Sequence, residues 1–175
     1  MSQPHDASPP LPANARLFLA VWPGPAALRA LAEWQARWTW PPGAAVVPPE
    51  RLHLTLHFIG PVPTVRLPEI ARGLSVPMRR FELHLDHAEL WPRGLAVLFA
   101  DRVPDALAEL HAGLQAGLQR LALPTETRPY RPHVTLARKA KGAVAPGGPA
   151  PSRWSVHGYA LVQSRGGYHT LQHYP

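Results

Sequence analysis

The sequence contains no cysteine among its 175 residues. Disulfides, thiolate nucleophiles, and zinc or iron–sulfur sites with cysteine ligands are therefore excluded. The basic and apolar regions of a signal peptide are also missing, and no apolar run approaches the roughly 18 residues that a membrane span needs. From these absences we expect a soluble cytoplasmic protein with no membrane partner.

Lysine is scarce too, since Lys139 and Lys141 are the only lysines among 18 basic residues. The formal net charge is nevertheless +7. Such an excess favours a polyanionic partner, with nucleic acid first, because Lys and Arg neutralise phosphates and release counterions. A coding bias towards Arg, Ala and Pro explains the charge equally well, so the charge alone does not decide between the two explanations.

The composition also bounds the domain organisation. Residues 1–14 carry four prolines among small polar residues and predict a flexible leader. Residues 15–175 predict a single bilobal domain, because a chain with 46% apolar residues can bury one substantial core. We expect no obligate protein partner.

Apolar and polar residues alternate strictly in the stretch 52–58, which predicts a strand with one buried face and one polar face. The buried face comprises Leu52, Leu54, Leu56 and Phe58. The polar face comprises His53, Thr55 and His57. A later strand at 132–138 places Arg131, His133 and Thr135 on one face. Further patterns predict strands at 17–22, 81–90, 95–100, 154–163 and 168–174, a loop at 142–152, and helices at 25–38 and 104–121.

The two polar strand faces belong to an internal repeat. Shifting the sequence by 80 positions places Arg51-Leu-His53-Leu-Thr55-Leu56 on Arg131-Pro-His133-Val-Thr135-Leu136. The preceding strand and helix superimpose as well. Chance does not account for two such His-x-Thr strands in register. Two copies related by a pseudo-twofold axis would bring His53 and His133 together across a cleft.

Three blocks of this sequence resemble the two-histidine (2H) phosphoesterase superfamily, and in particular its LigT-like branch of RNA 2',3'-cyclic phosphodiesterases, the 2'-5' RNA ligase family. The blocks are Arg16-Leu-Phe-Leu-Ala, His53-Leu-Thr-Leu-His-Phe-Ile-Gly60 and Arg128-Pro-Tyr-Arg-Pro-His-Val-Thr-Leu-Ala-Arg138. The resemblance covers almost the whole chain after residue 14. It implies a duplicated, bilobal α+β fold with two antiparallel-rich sheets, helices outside, and a pseudo-twofold cleft that carries both HxTx motifs.

The resemblance also implies roles for individual residues. His53 would donate a proton to the leaving oxygen and His133 would accept one as the base, while Thr55, Thr135 and Arg138 would bind the substrate phosphate. Arg51 and His57 differ from the usual residues of that branch, which affects the expected substrate preference rather than the reaction class.

These residue types suit the opening of a 2',3'-cyclic phosphate, in which a water loses a proton and the leaving ribose oxygen gains one. An imidazole with a pKa near 6.5 can serve either step, and each contributes roughly 10²–10⁴-fold in rate. Residues two apart on a strand lie roughly 6.6 Å apart on one face, so each Thr hydroxyl can reach a phosphate oxygen beside its His. No metal and no cofactor are predicted.

Several other residues admit two interpretations. Arg131 shares the face of His133 and is either a phosphate ligand or a solvated charge. Arg138 lies on the opposite face, so its role requires a local twist or bulge in the strand. His57 is either a substrate contact or a plain cleft-facing polar residue. Tyr168 is a further candidate for a substrate contact, since it could stack on a base, whereas Phe18 is favoured as a core residue.

The sequence thus predicts an enzyme that hydrolyses 2',3'-cyclic phosphate ends of RNA or oligonucleotides, and the resemblance implies that the products are 2'-phosphomonoesters. Rivals within the same superfamily are a 2'-5' RNA ligase and a phosphodiesterase for small cyclic nucleotides or cyclic ADP-ribose phosphates. A rival of another class is a non-catalytic RNA-binding module. A histidine-rich metal protein is the third, although alternation separates His87 from His84 and Asp86.

Overall fold

The computed structural model describes residues 13–148, 150 and 152–175. Residues 1–12 of the predicted leader lie outside this part of the chain, and the first strand begins at Asn14. Within the described residues, no helix combines the length and apolarity needed to cross a membrane.

Ten strands and three α-helices make up the described part of the chain. The strands are β1 (Asn14–Val21), β2 (Ala45–Val46), β3 (Leu54–Pro63), β4 (Phe81–Leu85), β5 (His87–Trp91), β6 (Leu95–Phe99), β7 (His133–Arg138), β8 (Ser152–Val156), β9 (Tyr159–Ser164) and β10 (Tyr168–Tyr174). The helices are α1 (Pro25–Ala36), α2 (Leu67–Gly73) and α3 (Asp105–Arg120), and short 3₁₀ turns span Pro49–Arg51 and Thr64–Arg66.

The predicted bilobal, antiparallel-rich α+β architecture is confirmed. The main sheet has the order β10-β9-β1-β3-β7-β6-β5, with β2 also paired to β7, and β4 and β8 form a separate ribbon. The two predicted sheets are joined into one, and among the described residues only the pairing of Leu54 with Val134 joins them. The halves β10-β9-β1-β3 and β7-β6-β5 are the two lobes, and β3 and β7 lie side by side where they meet.

The helices form where the periodicity predicts them. Pro25 begins α1, where its fixed φ suits the first turn, and Leu31 and Trp34 are buried on one face. The longer helix α3 has Asp105 in its first turn and Arg120 in its last, which complements the helix dipole. Its buried stripe comprises Ala106, Leu107, Leu110, Leu114, Gly117 and Leu118.

Each long helix reaches the His-x-Thr strand of the other repeat. In α1, the buried Gln35 side chain donates hydrogen bonds to the carbonyls of Leu136 in β7 at 2.8 Å and of Val47 at 2.9 Å. In α3, the carbonyl of His111 accepts a 2.9 Å hydrogen bond from the His57 ring in β3. The helices therefore tie the two lobes together on the side of the sheet that buries Leu54, Leu56 and Leu136.

The strict alternation predicted for β3 is wrong beyond Leu56. In the pairing with β1, Leu19 lies opposite His57 and Ala20 opposite Thr55, so Leu56 is an extra residue in a β-bulge. After the bulge the faces exchange. His57 turns into the interior, with 3% exposure, and Phe58, predicted as core, is 54% exposed.

Candidate active site

The predicted catalytic residues line one cleft of about 230 Å³ where the two lobes meet. Thr55 reaches the cleft from β3, and His53 reaches it from the position just before that strand. His133 and Thr135 reach it from β7. All four are half-buried. The other lining residues are Arg16, Phe18, Val47, Arg51, Phe58, Arg138, Ser164 and Tyr168. The repeat therefore places its two polar strand faces as the sequence predicts.

The two imidazoles are held in the same way. The Nδ1–H of His53 donates to the carbonyl of Arg51 at 2.7 Å, and the Nδ1–H of His133 donates to the carbonyl of Arg131 at 2.7 Å. A carbonyl oxygen only accepts, so Nδ1 carries a proton in both rings, and the neutral ring keeps a free lone pair on Nε2. In His53 this Nε2 lies 3.1 Å from the Thr55 hydroxyl.

Burial lowers the pKa of both histidines below 6.5. In each ring the backbone hydrogen bond opposes this effect, and the positive charge of Arg138 adds to it. For His53 the neighbouring His133 lowers the pKa further, and for His133 the nearby Arg131 does the same. Neighbouring positive charges also disfavour a second proton, so the state with one ring protonated is favoured over the state with both rings protonated.

Aromatic rings surround His53. Its ring centroid lies 5.1 Å from that of Trp22, 5.2 Å from that of Phe18 and 5.2 Å from that of Tyr168. Phe18 is 5% exposed, in keeping with the favoured core role, yet its ring also borders the cleft. Tyr168 is 39% exposed and lines the cleft where substrate contact is predicted. On the other side, Trp91 lies 4.6 Å from the His133 ring.

The twist or bulge that a role for Arg138 requires is present in β7. Ala96 pairs with Ala137 and Val97 with Thr135, so Leu136 is an extra residue. The bulge turns Arg138 into the cleft.

Two predicted site residues lie outside the lining of the cleft. Arg131 does not line the cleft: its guanidinium lies 4.5 Å above the Trp91 ring and 3.5 Å from the Glu89 carboxylate. The strand begins only at His133, so alternation does not govern Arg131. His57 does not line the cleft either, because the bulge at Leu56 turns it to the opposite side of the sheet.

The interior position of His57 creates a cluster that the sequence pattern did not reveal. The His111 ring is stacked between His57 at 4.0 Å and Tyr130 at 3.9 Å, and the three rings are nearly parallel. The Tyr130 hydroxyl donates to the carbonyl of Thr55 at 3.2 Å. The stack therefore links α3 to the backbone of the first His-x-Thr motif. Tyr130 lies in the third block of resemblance, but no spacing indicates that it meets His57 or His111.

The histidines that suggested a metal protein are dispersed. Within residues 13–148, 150 and 152–175, no group of three His, Asp or Glu side chains is placed to hold a metal ion. His87 lies 3.8 Å from Asp86 and 3.7 Å from Asp101, which is a loose ion pair on the exposed edge strand β5.

Comparison with known proteins agrees with this geometry. A family model described as the 2'-5' RNA ligase superfamily matches residues 22–167. The chain is 34% identical over 161 residues to an RNA 2',3'-cyclic phosphodiesterase of Thermus thermophilus, covering 85% of this chain and 81% of that protein. It is 35% identical over 136 residues to an RNA 2',3'-cyclic phosphodiesterase of Escherichia coli, covering 74% of each.

Among solved structures, the apo form of Escherichia coli LigT superposes with a TM-score of 0.81 at 27% identity. The match covers 93% of this chain and 98% of LigT. The shared architecture therefore extends over both lobes and the cleft between them.

Proposed function

Because the chain belongs to the 2'-5' RNA ligase superfamily, we propose that it hydrolyses 2',3'-cyclic phosphate ends of RNA to 2'-phosphomonoesters without a metal ion. The observation that carries this proposal is the pair of histidines in one cleft, each with Nδ1 fixed by a backbone carbonyl. Two relatives named as RNA 2',3'-cyclic phosphodiesterases support the choice of substrate.

In the proposed reaction, water attacks phosphorus while His133 Nε2 accepts a proton from it. The bond between phosphorus and the ribose 3' oxygen breaks, and His53 donates a proton from Nε2 to that oxygen. One phosphomonoester at the 2' position and one 3' hydroxyl result, and the two rings have exchanged protonation states. Solvent then restores them. Both steps need positioned imidazoles rather than a Lewis acid.

The pentacovalent phosphorus carries negative charge on its non-bridging oxygens. In the proposal, the hydroxyls of Thr55 and Thr135 donate to these oxygens, and the Arg138 guanidinium neutralises their charge. Such groups act most strongly where the charge develops in the transition state. Tyr168 borders the same cleft. In the proposal, its ring contacts the nucleoside.

The test is the hydrolysis of a short RNA that ends in a 2',3'-cyclic phosphate, in buffer containing EDTA. We expect turnover by the wild type to survive EDTA and to fall at least about a hundredfold in both His53→Ala and His133→Ala, consistent with general acid and base catalysis. A matched control is His84→Ala, an exposed histidine on β4. Absence of wild-type turnover, or equal activity of all variants, would refute the proposal.

The principal alternative is 2'-5' RNA ligation, which the description of the matching family favours. Ligation uses the same cleft, with the 5' hydroxyl of a second RNA in place of water. Joining of two RNA ends at rates above hydrolysis would favour it, and preference for mononucleotides would favour a small cyclic nucleotide phosphodiesterase. RNA binding without any turnover would favour a binding module. A cytoplasmic location stays a prediction from the sequence.

A further inference from the structure

Two tight turns meet at one corner of the second lobe. The first connects β5 to β6 and contains Arg93 and Gly94, and the second follows β7 and contains Lys139 and Lys141. The Ala140 amide donates to the Gly94 carbonyl at 2.8 Å. A Cβ atom on Gly94 would lie 2.9 Å from the backbone nitrogen of Lys141, so glycine at this position permits the two turns to approach closely. The corner therefore gathers three cations, which we name the lysine corner: Arg93, Lys139 and Lys141.

The lysine corner adjoins a cleft residue in the chain. Lys139 directly follows Arg138, which lines the cleft. All three cations of the corner are exposed. None of them forms an ion pair with a described carboxylate, whereas Arg66, Arg79, Arg128, Arg131 and Arg153 each face a glutamate. The corner is therefore free to bind an anion beside the reaction site.

The backbone of the corner is unfavourable for the residues it carries. Among the described residues, only Arg93 (φ 65°), Ala122 (φ 50°) and Lys139 (φ 53°) have positive φ without being glycine. Glycine adopts this conformation without steric penalty. Two of the three positions hold long cations at the same corner, and the second turn holds both lysines of the chain. The conformation of the turns therefore does not account for the two cations.

We propose that the lysine corner binds the phosphodiester backbone of an RNA strand whose cyclic end occupies the cleft. This inference rests on the proposed function, and it specifies that function further: the preferred substrate is a polynucleotide rather than a cyclic mononucleotide. Arg138 holds the terminal phosphate, and the corner next to it holds phosphates further along the strand. Contacts of this kind are independent of base sequence and depend on salt.

The first experiment measures binding by fluorescence anisotropy between 50 and 200 mM salt. The ligand is an eight-nucleotide RNA with a 2'-phosphate end, which mimics the product. For each phosphate contact that is lost, the slope of log affinity against log salt should become shallower by about 0.7. The double variant Arg93→Gly/Lys139→Gly should therefore lose about 1.4 in slope and roughly tenfold in affinity at the lowest salt.

Matched controls separate charge from backbone effects. Ala122→Gly makes the same change of residue at a positive φ without removing a charge, and Arg29→Ala removes an exposed charge from α1. Neither should change the slope. Hydrolysis of 2',3'-cyclic AMP by the double variant should stay within about twofold of wild type, since this substrate has no further phosphate. An unchanged salt slope in the double variant would overturn the proposal. So would a loss of 2',3'-cyclic AMP hydrolysis as large as the loss of RNA affinity.

A second experiment needs no substitution. Because Lys139 and Lys141 are the only lysines, acetylation of lysine side chains reports on the corner alone. Mass spectrometry should show at least about fivefold slower acetylation of both in the presence of the RNA, and no protection by 2'-AMP, if phosphates cover them. Equal acetylation rates with and without RNA would refute RNA binding at the lysine corner. Neither binding nor protection requires turnover, so a wild type that binds in this way but hydrolyses nothing would refute only the proposed function.

Discussion

Leu56 and Leu136 occupy the same place in the two repeats: each is the extra residue of a β-bulge, 80 positions apart in the chain. Before each bulge, His-x-Thr faces the cleft. After it the faces exchange, so that Phe58 and Arg138 also reach the cleft. The duplication therefore preserves the bulge as well as the motif, and it provides a third cleft-facing position in each lobe.

Arg138 is the charged member of this third pair, and its loss should impair catalysis. We expect Arg138→Met to lower kcat/KM for the cyclic end by about 10²-fold or more, as for other groups that stabilise transition-state charge. Its removal should also raise the pKa of His53 and of His133, since its charge lowers both. The measurement is the pH dependence of kcat/KM, which should move to higher pH.

Arg131→Met is the matched control, because this arginine lies over Trp91 and faces Glu89 instead of the cleft. It should lower kcat/KM less than about tenfold, as expected for an exposed ion pair outside the site. A larger loss with Arg131→Met than with Arg138→Met would contradict the placement of both residues.

The wild-type pH profile follows from the lowered pKa values. The proposed acid His53 must be protonated and the proposed base His133 neutral, and burial lowers the pKa of both. For the free enzyme, kcat/KM should therefore be maximal at or below about pH 6.5 and should fall between pH 7 and 8.5, as the acid loses its proton. A maximum near pH 8 would show that the charged substrate or another group controls the proton transfer.

The His57–His111–Tyr130 stack should make the fold sensitive to acid. Burial lowers the pKa of His57, and it lowers the pKa of His111 to about 4. The unfolded chain has ordinary histidines with a pKa near 6.5, so below that pH it binds more protons than the folded chain. The free energy of unfolding should therefore be unaffected by these groups above about pH 7 and should fall as the pH drops from 6.5 towards 4.

Thermal unfolding of His111→Leu measures this contribution, because Leu31 stands at the equivalent position of the first repeat. Its Tm should decrease less than that of the wild type between pH 7.5 and 5. Since His53 and His133 act in the same direction, part of the decrease should persist. His84→Leu, at an exposed position on β4, is the control. Identical decreases for wild type and His111→Leu would exclude the stack as the acid-sensitive element.

Gln35 supports the strand that carries His133. Its side chain is 4% exposed and bonds two backbone carbonyls, one of them in β7. Gln35→Leu leaves these acceptors without their amide partner and should lower the free energy of unfolding by about 1–3 kcal/mol. Urea denaturation measures the change. Gln119→Leu, at an exposed position of α3, should stay within about 0.5 kcal/mol of wild type.

The sequence predicts the four His and Thr residues of the cleft, but it does not predict how the strands continue after them. Alternation before each bulge places His53, Thr55, His133 and Thr135 as the structure has them. The bulges themselves are invisible in the pattern, because Leu56 and Leu136 are apolar and are followed by an interior residue. Only the pairing with β1 and β6 reveals that an extra residue is present.

The ring stack is beyond sequence reasoning for another reason. His57, His111 and Tyr130 come from β3, from α3 and from the segment before β7, so that only the crossing of α3 to the other lobe brings them together. The alternating pattern does not predict the position of Arg131, because this residue precedes β7. The Trp91 ring and the Glu89 carboxylate determine where its side chain lies.

The crossed helices have a consequence for the assembly of the chain. A protein made of one repeat would lack both the crossing helix and strands of its sheet, because β9 and β10 from the end of the chain lie beside β1, and β2 from its first half pairs with β7. Neither half is then a self-sufficient folding unit, and the two half-genes, expressed separately, should yield folded protein only when their products are made together.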